Sequence, residues 1–250
     1  MGKLENIVLL LVTAFFAGAL NAAAGGGSFL TFPALVYAGV PPIIANATST
    51  ASLLPGYVSS VIPFWGDIRH YQPRQLLGFT TLSAIGGVIG ALLLLVTSNE
   101  TFSAIVPWLL LVATLVFAFG EKAKRFLAAD GQERPVVMCV GIFLVSVYGG
   151  YFNGGLGIML LALFAAAGLH NIHIMNGLKN FLSVVLTAIS VAAFAFAGII
   201  EWKAALIMAV AATIGGYVGG HGARRIPKPV LKAGIVLVGL VMTMIFFSRV

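Results

Sequence analysis

Charge is what this chain lacks. Only 8% of its 250 residues are charged, against 60% apolar. A soluble domain carries about 25% charged residues. A globular core of this length cannot hide so much apolar surface, so lipid is the solvent for most of the chain. Cysteine is nearly absent as well. The single Cys139 lies in an apolar run, which excludes a disulfide framework and a thiolate metal site. There is no Ser/His/Asp order, paired carboxylate, Walker loop, HExxH helix or Cys/His metal spacing. The sequence therefore gives no ground for an enzyme, a cofactor or a bound metal. The net charge of +7 does not indicate nucleic acid either, because the basic residues are scattered over several loops between apolar runs.

What is present is hydrophobic scaffold. Ten apolar runs fall at approximately 7–24, 28–38, 43–64, 75–97, 104–119, 136–152, 157–168, 173–197, 203–220 and 230–248. A straight helix needs ~20 residues to cross the hydrocarbon. Most runs meet or approach that length, but 28–38 and 157–168 are too short to span alone. The fold class expected is an all-α polytopic membrane protein. The N-terminal run resembles a secretory signal, with Lys3 ahead of it and Ala22-Ala23-Ala24 behind. Its counterpart in the second half makes it part of the repeated core instead.

The two halves are alike. A shift of 129 residues lays Gly25-Gly26-Gly27-Ser28 on Gly154-Gly155-Leu156-Gly157, and Ala38-Gly39-Val40 on Ala167-Gly168-Leu169. The same shift lays Ile85-Gly86-Gly87 on Ile214-Gly215-Gly216. After one inserted residue, Asn46 falls on Asn176, Ser49 on Lys179 and Thr50 on Asn180. The division expected is a first membrane repeat over 1–119, a water-exposed linker over 120–135 and a second repeat over 136–250. Five runs per half is an odd number, so the repeats should be inverted, a recurrent architecture of secondary transporters.

Charge gives an orientation. The loops 65–74, 120–135 and 221–232 hold ten of the fourteen Lys and Arg residues. The positive-inside rule puts these loops in the cytoplasm and both termini outside, in a multi-pass cell (inner) membrane protein.

Three groups of residues can carry chemistry. The first is the pair of glycine stretches. Three successive glycines make a poor helix, at ~1 kcal/mol each relative to Ala. Non-helical backbone at membrane depth survives only where it lines protein or water. Each stretch reads as a broken helix or re-entrant tip whose N–H groups face an anion, with Gly26, Gly27, Ser28, Gly155 and Gly157 as donors. Close helix packing is the plainer reading, and it is preferred for Gly86, Gly87, Gly90, Gly215, Gly216, Gly219 and Gly220.

The second group is the Asn-led strings. Asn46, Thr48, Ser49 and Thr50 open one long run, and Asn176, Lys179 and Asn180 open its counterpart. Their hydroxyls and amides suit an oxyanion, and capping with interhelical hydrogen bonds is the alternative. Lys179 is the third. It is the only basic residue well inside an apolar run, where a charge marks a pathway or a partner unless it snorkels to the interface.

The stretch Gly18-Ala19-Leu20-Asn21-Ala22-Ala23-Ala24-Gly25-Gly26-Gly27-Ser28-Phe29-Leu30-Thr31-Phe32-Pro33-Ala34-Leu35 resembles the N-terminal signature of the TauE/SafE sulfite exporter family. So does Pro41-Pro42-Ile43-Ile44-Ala45-Asn46-Ala47-Thr48-Ser49-Thr50. Gly149-Gly150-Tyr151-Phe152, Gly154-Gly155-Leu156-Gly157 and Asn176-Gly177-Leu178-Lys179-Asn180 resemble its second copy, with Gly177 where the family has Ala. The resemblance implies an inner-membrane permease for sulfite or organosulfur anions, usually an exporter, often ion-coupled. Its partners would be a small anionic substrate and the bilayer, with no nucleic acid; a homo-oligomer is left open. The rival readings are a passive anion channel and an importer of a cation or neutral solute.

Overall fold

The computed structural model describes residues 3–69, 71–127, 134–222 and 228–248, and among them every regular element is helical. The helices are α1 (Lys3–Ala24), α2 (Ser28–Tyr37), α3 (Pro42–Val61), α4 (Trp65–Ile68), α5 (Pro73–Leu95), α6 (Asn99–Leu127), α7 (Pro135–Tyr151), α8 (Leu156–Ala166), α9 (Ile172–Phe196), α10 (Trp202–Gly222) and α11 (Lys228–Phe247). Four of them contain stretches long and apolar enough to cross a membrane by length and composition: Leu4–Asn21, Pro73–Leu95, Asn99–Val116 and Ile172–Phe196. Large apolar side chains such as Leu77, Val96, Phe196 and Leu206 point outward from the bundle. This is the surface of an all-helical polytopic membrane protein, turned towards lipid.

The helix ends follow from local chemistry. Pro42, Pro73 and Pro135 take the first helical position, where a missing N–H costs nothing. Asn171 caps α9, its Oδ1 accepting from the amides of His173 at 2.9 Å and Ile174 at 3.3 Å. The two short helices end identically. Gly39 and Gly168 adopt left-handed φ of 92° and 91°. The amide of Val40 then bonds the Leu35 carbonyl at 3.0 Å, and that of Leu169 bonds the Phe164 carbonyl at 2.9 Å. The repeat seen in the letters is thus repeated in hydrogen bonds.

Two expected boundaries move. The run 43–64 is one helix only to Val61. Pro63 then sits in a 3₁₀ turn, Ile62–Phe64, which leads into the short α4. The expected linker 120–135 begins as helix, because α6 continues to Leu127 through Glu121, Lys122, Ala123, Lys124 and Arg125, all good helix formers. Residues 128–133 of that linker, and 223–227 of the basic loop 221–232, lie outside the described residues.

The short helices fold back on their predecessors. Asn6, near the start of α1, donates its Nδ2 to the Ala38 carbonyl just past α2, at 3.4 Å. The amide of Arg134, just before α7, bonds the Ala167 carbonyl just past α8, at 2.9 Å. Each pair therefore begins and ends on the same side, as a helical hairpin whose tip is the glycine stretch. With ~15 Å in α2 and ~16 Å in α8, neither short arm covers ~30 Å of hydrocarbon.

The hairpins open at opposite ends of the molecule. Near the start of α3, Thr48 accepts from the amide of Glu201, just beyond the end of α9. Near the start of α9, Asn180 donates to the Ser60 carbonyl at the end of α3. The equivalent helices α3 and α9 are therefore antiparallel, the relation that inverted repeats produce.

Packing crosses the repeat. Helix α1 lies along α10 and α5 along α7. Glycine sets both seams. A Cβ at Gly86 would meet the Phe143 carbonyl oxygen at 2.7 Å, and one at Gly90 would strike the Val147 carbonyl. In the other seam, Cβ atoms at Gly18 and Gly215 would strike the carbonyls of Ala212 and Phe15. Gly86, Gly90 and Gly215 serve close helix approach, as expected, and Gly18 joins them. Phe32 of α2 anchors the interior, edge-on to Phe152 at 5.5 Å and stacked on Phe246 at 5.3 Å.

Candidate functional site

Both glycine stretches break the helix, and the breaks touch. Gly25 takes φ +81° and Gly155 takes φ +71°, left-handed values that disfavour any side chain. A Cβ on Gly25 would lie 2.8 Å from the Gly157 Cα, and one on Gly157 would lie 2.9 Å from the Gly25 Cα. The two hairpin tips thus meet backbone to backbone. Gly26 and Gly27 are buried beside this contact, with Gly27 against the Ala17 carbonyl of α1. Ser28 is buried and bridges the breaks, its Oγ donating to the Asn153 carbonyl at 2.8 Å.

The second break leaves donors free. The amides of Asn153, Gly154, Gly155 and Gly157 have no backbone acceptor among the described residues, and all four residues are buried. Buried backbone N–H groups without partners are rare in proteins. The amides of Ile158 and Met159 already turn inward to the Gly155 carbonyl, so the free donors are confined to the break itself.

Lys179 lies on the same contact. It is only 3% exposed, and its Cδ is 3.3 Å from where a Gly157 Cβ would stand. No hydrogen bond or ion pair to its ammonium occurs among the described residues. It enters from α9, about two turns past the Asn171 cap. A primary amine and several unbonded N–H groups offer donors and no carboxylate, a set matched to an anion.

The Asn-led strings are placed differently from one another. Asn46 donates Nδ2 to the Tyr151 carbonyl at 2.9 Å, and Asn180 donates to Ser60 at 2.9 Å, each reaching into the other repeat. Thr48 holds the Glu201 amide at 3.0 Å. Ser49 shares a 2.6 Å hydrogen bond with Thr31 of α2. Thr50 bonds back to the Asn46 carbonyl at 2.7 Å. These five are buried; Asn46, Thr48, Ser49 and Asn180 are engaged as joints between elements, while Thr50 is bonded within its own helix. Asn176 stands apart. It is only half-buried and donates to the Ile172 carbonyl of its own helix at 3.0 Å.

Sequence reasoning passed over a second polar cluster. Tyr57 of α3 is buried and bonds both Asn21 of α1 and Asn153, the latter at 3.5 Å. Asn21 Oδ1 and Asn153 Nδ2 remain without partners. A hydrogen-bond chain through one hydroxyl ends in one unmet acceptor and one unmet donor whichever way the protons run. The available signal was position. Asn153 directly precedes Gly154, and Asn21 lies one turn before Gly25.

The family model described as Sulfite exporter TauE/SafE matches residues 10–246. A probable membrane transporter protein ORF9 of Sinorhizobium is 27% identical over 94% of this chain and 89% of its own length. A probable membrane transporter protein of Haemophilus influenzae is 26% identical over 96% of this chain and 94% of its own. The probable membrane transporter protein YfcA of Escherichia coli is 26% identical over 94% and 87%. No solved structure matches the chain.

Proposed function

The chain belongs to the TauE/SafE sulfite exporter family and is a multi-pass membrane transporter, and from that premise we propose that it carries small sulfur-containing oxyanions, sulfite or an organosulfonate. The observation that carries this reading is the place of Lys179. An amine without a counter-ion sits against the junction of two glycine breaks, beside backbone N–H groups that lack acceptors. Buried cations in membranes mark substrate paths or partners, and the partner offered here is the substrate's charge. The two hairpins come from opposite ends, so each can open while the other stays shut, which is the requirement for alternating access. Export follows the family's description, with coupling to an ion gradient. The basic loops 65–74, 120–135 and 221–232 lie in the cytoplasm, and both termini lie outside.

Among the residues expected at the site, Lys179, Gly155 and Gly157 bind substrate in this reading, with the Asn153 and Gly154 amides added. Gly26, Gly27 and Ser28 shape the facing tip. Asn46, Thr48, Ser49 and Asn180 set the helices around it, and Thr50 and Asn176, each bonded within its own helix, take no part. Sulfite uptake into proteoliposomes tests the reading. The parent protein should show saturable flux, and Lys179→Ala should abolish or strongly weaken it while the protein stays folded. Unchanged flux in Lys179→Ala would remove the lysine from the mechanism. An unsaturable conductance in the parent would favour a passive pore.

A further inference from the structure

Two hydroxyls on α9 are the only buried ones among the described residues that have no hydrogen-bond partner. Buried Thr50, Thr114, Ser190 and Thr243 each donate to the carbonyl four residues earlier. That bond is the usual resource for Ser and Thr within a helix. Ser183 and Thr187 are fully buried, yet neither hydroxyl has any partner among the described residues. The carbonyls of Lys179 and Ser183 stand in the right register on the same helix, so the side chains are turned away from their own backbone. A buried hydroxyl left unpaired costs about 1–3 kcal/mol.

The fold does not require a hydroxyl at the Ser183 position, whose equivalent in the first repeat, at the shift of 130 that lays Asn46 on Asn176, is Leu53. The Thr187 position answers to Tyr57, a tyrosine whose hydroxyl is bonded to Asn153. Position on the helix gives the second clue. Lys179, Ser183 and Thr187 are spaced by four and share one face. From Lys179 to Thr187 that face advances ~12 Å towards the end of α9. It lies within the bundle, since α9 is packed by α3, α5, α7 and α8.

We infer that Ser183 and Thr187 line the route by which the oxyanion moves between the glycine junction and the far end of α9. Their hydroxyls supply successive donors to an anion that has left Lys179, and water satisfies them between passages. The inference rests on the transporter reading above and adds to it the wall of the path.

Thiol accessibility tests it. In a Cys139→Ser background, Ser183→Cys and Thr187→Cys are reconstituted and exposed to a charged, membrane-impermeant thiosulfonate from each side. Leu186→Cys is the control, buried on the same helix but facing Gly87 of α5. Thiolates form only in water, so a residue on the path should react about tenfold faster than the control. Labelling of both no faster than Leu186→Cys, from either side, overturns the inference. Labelling needs no substrate, so it is separable from the substrate reading. Slow labelling in a protein that moves sulfite sinks the path alone, whereas fast labelling in one that moves none sinks the substrate alone. Thr187→Val gives a second measurement, because it removes the hydroxyl and keeps the shape. Stability should hold while sulfite flux falls about fivefold, and unchanged flux overturns the role of Thr187.

Discussion

Gly25 and Gly157 are in contact through their α-carbons, and there is no room between them for a methyl group. They are also 132 residues apart in sequence, at the tips of two hairpins from opposite repeats. Gly25→Ala should therefore be doubly unfavourable. The left-handed φ of +81° costs about 1–2 kcal/mol for an L side chain. The collision with Gly157 adds to that and pushes the tips apart. Loss of sulfite flux together with a lowered melting temperature in detergent is the expected result. Gly78→Ala is the matching control. It lies inside α5 with nothing within 4 Å of the added atom, and it should hold or raise stability by up to about 1 kcal/mol.

Lys179→Met separates charge from packing. The thioether stem fills the space beside Gly157 and carries no ammonium. Removing an unpaired amine from the interior relieves a desolvation cost. The melting temperature should be unchanged or higher while flux falls at least about tenfold. A stability loss equal to the flux loss would reassign Lys179 to structure.

Thr48→Val tests a joint. The substitution keeps shape and removes the acceptor for the Glu201 amide, which ties the start of α3 to the loop after α9. About 1 kcal/mol of stability should be lost, read as a lowered melting temperature. Substrate affinity should be unchanged.

Tyr57→Phe cuts the chain between Asn21 and Asn153. It leaves Asn153 Oδ1 without its donor, beside an Nδ2 that already has no acceptor. A cost of about 1–3 kcal/mol is expected in thermal unfolding. A neutral outcome would mean that water replaces the hydroxyl fully.

Much of the scaffold can be read from the letters. Hydropathy finds the ten main helices, and Gly39 and Gly168 mark the ends of the short ones, because φ near 90° is open to glycine and to little else. Function is harder to read where polar residues serve joints. Asn46 and Asn176 occupy equivalent places, yet one crosses to Tyr151 and the other bonds its own helix. A repeat in sequence fixes where a side chain starts and leaves its partner to the opposite element, which the repeat does not copy. Tyr57, Asn21 and Asn153 were missed for a related reason. They are single polar residues on three separate elements, and only the meeting of the hairpins brings them together.

The crossed packing of α1 on α10 and α5 on α7 has a mechanical consequence. Each hairpin is clamped, through glycine seams, to a helix encoded in the opposite half of the chain. A rigid body that moves during a transport cycle must then be assembled from both halves, one hairpin with the other half's long helix. The line between moving parts therefore does not follow the line between repeats. Severing the chain in its central linker would leave both bodies intact as long as the two fragments are made together, whereas neither fragment alone contains a complete moving part.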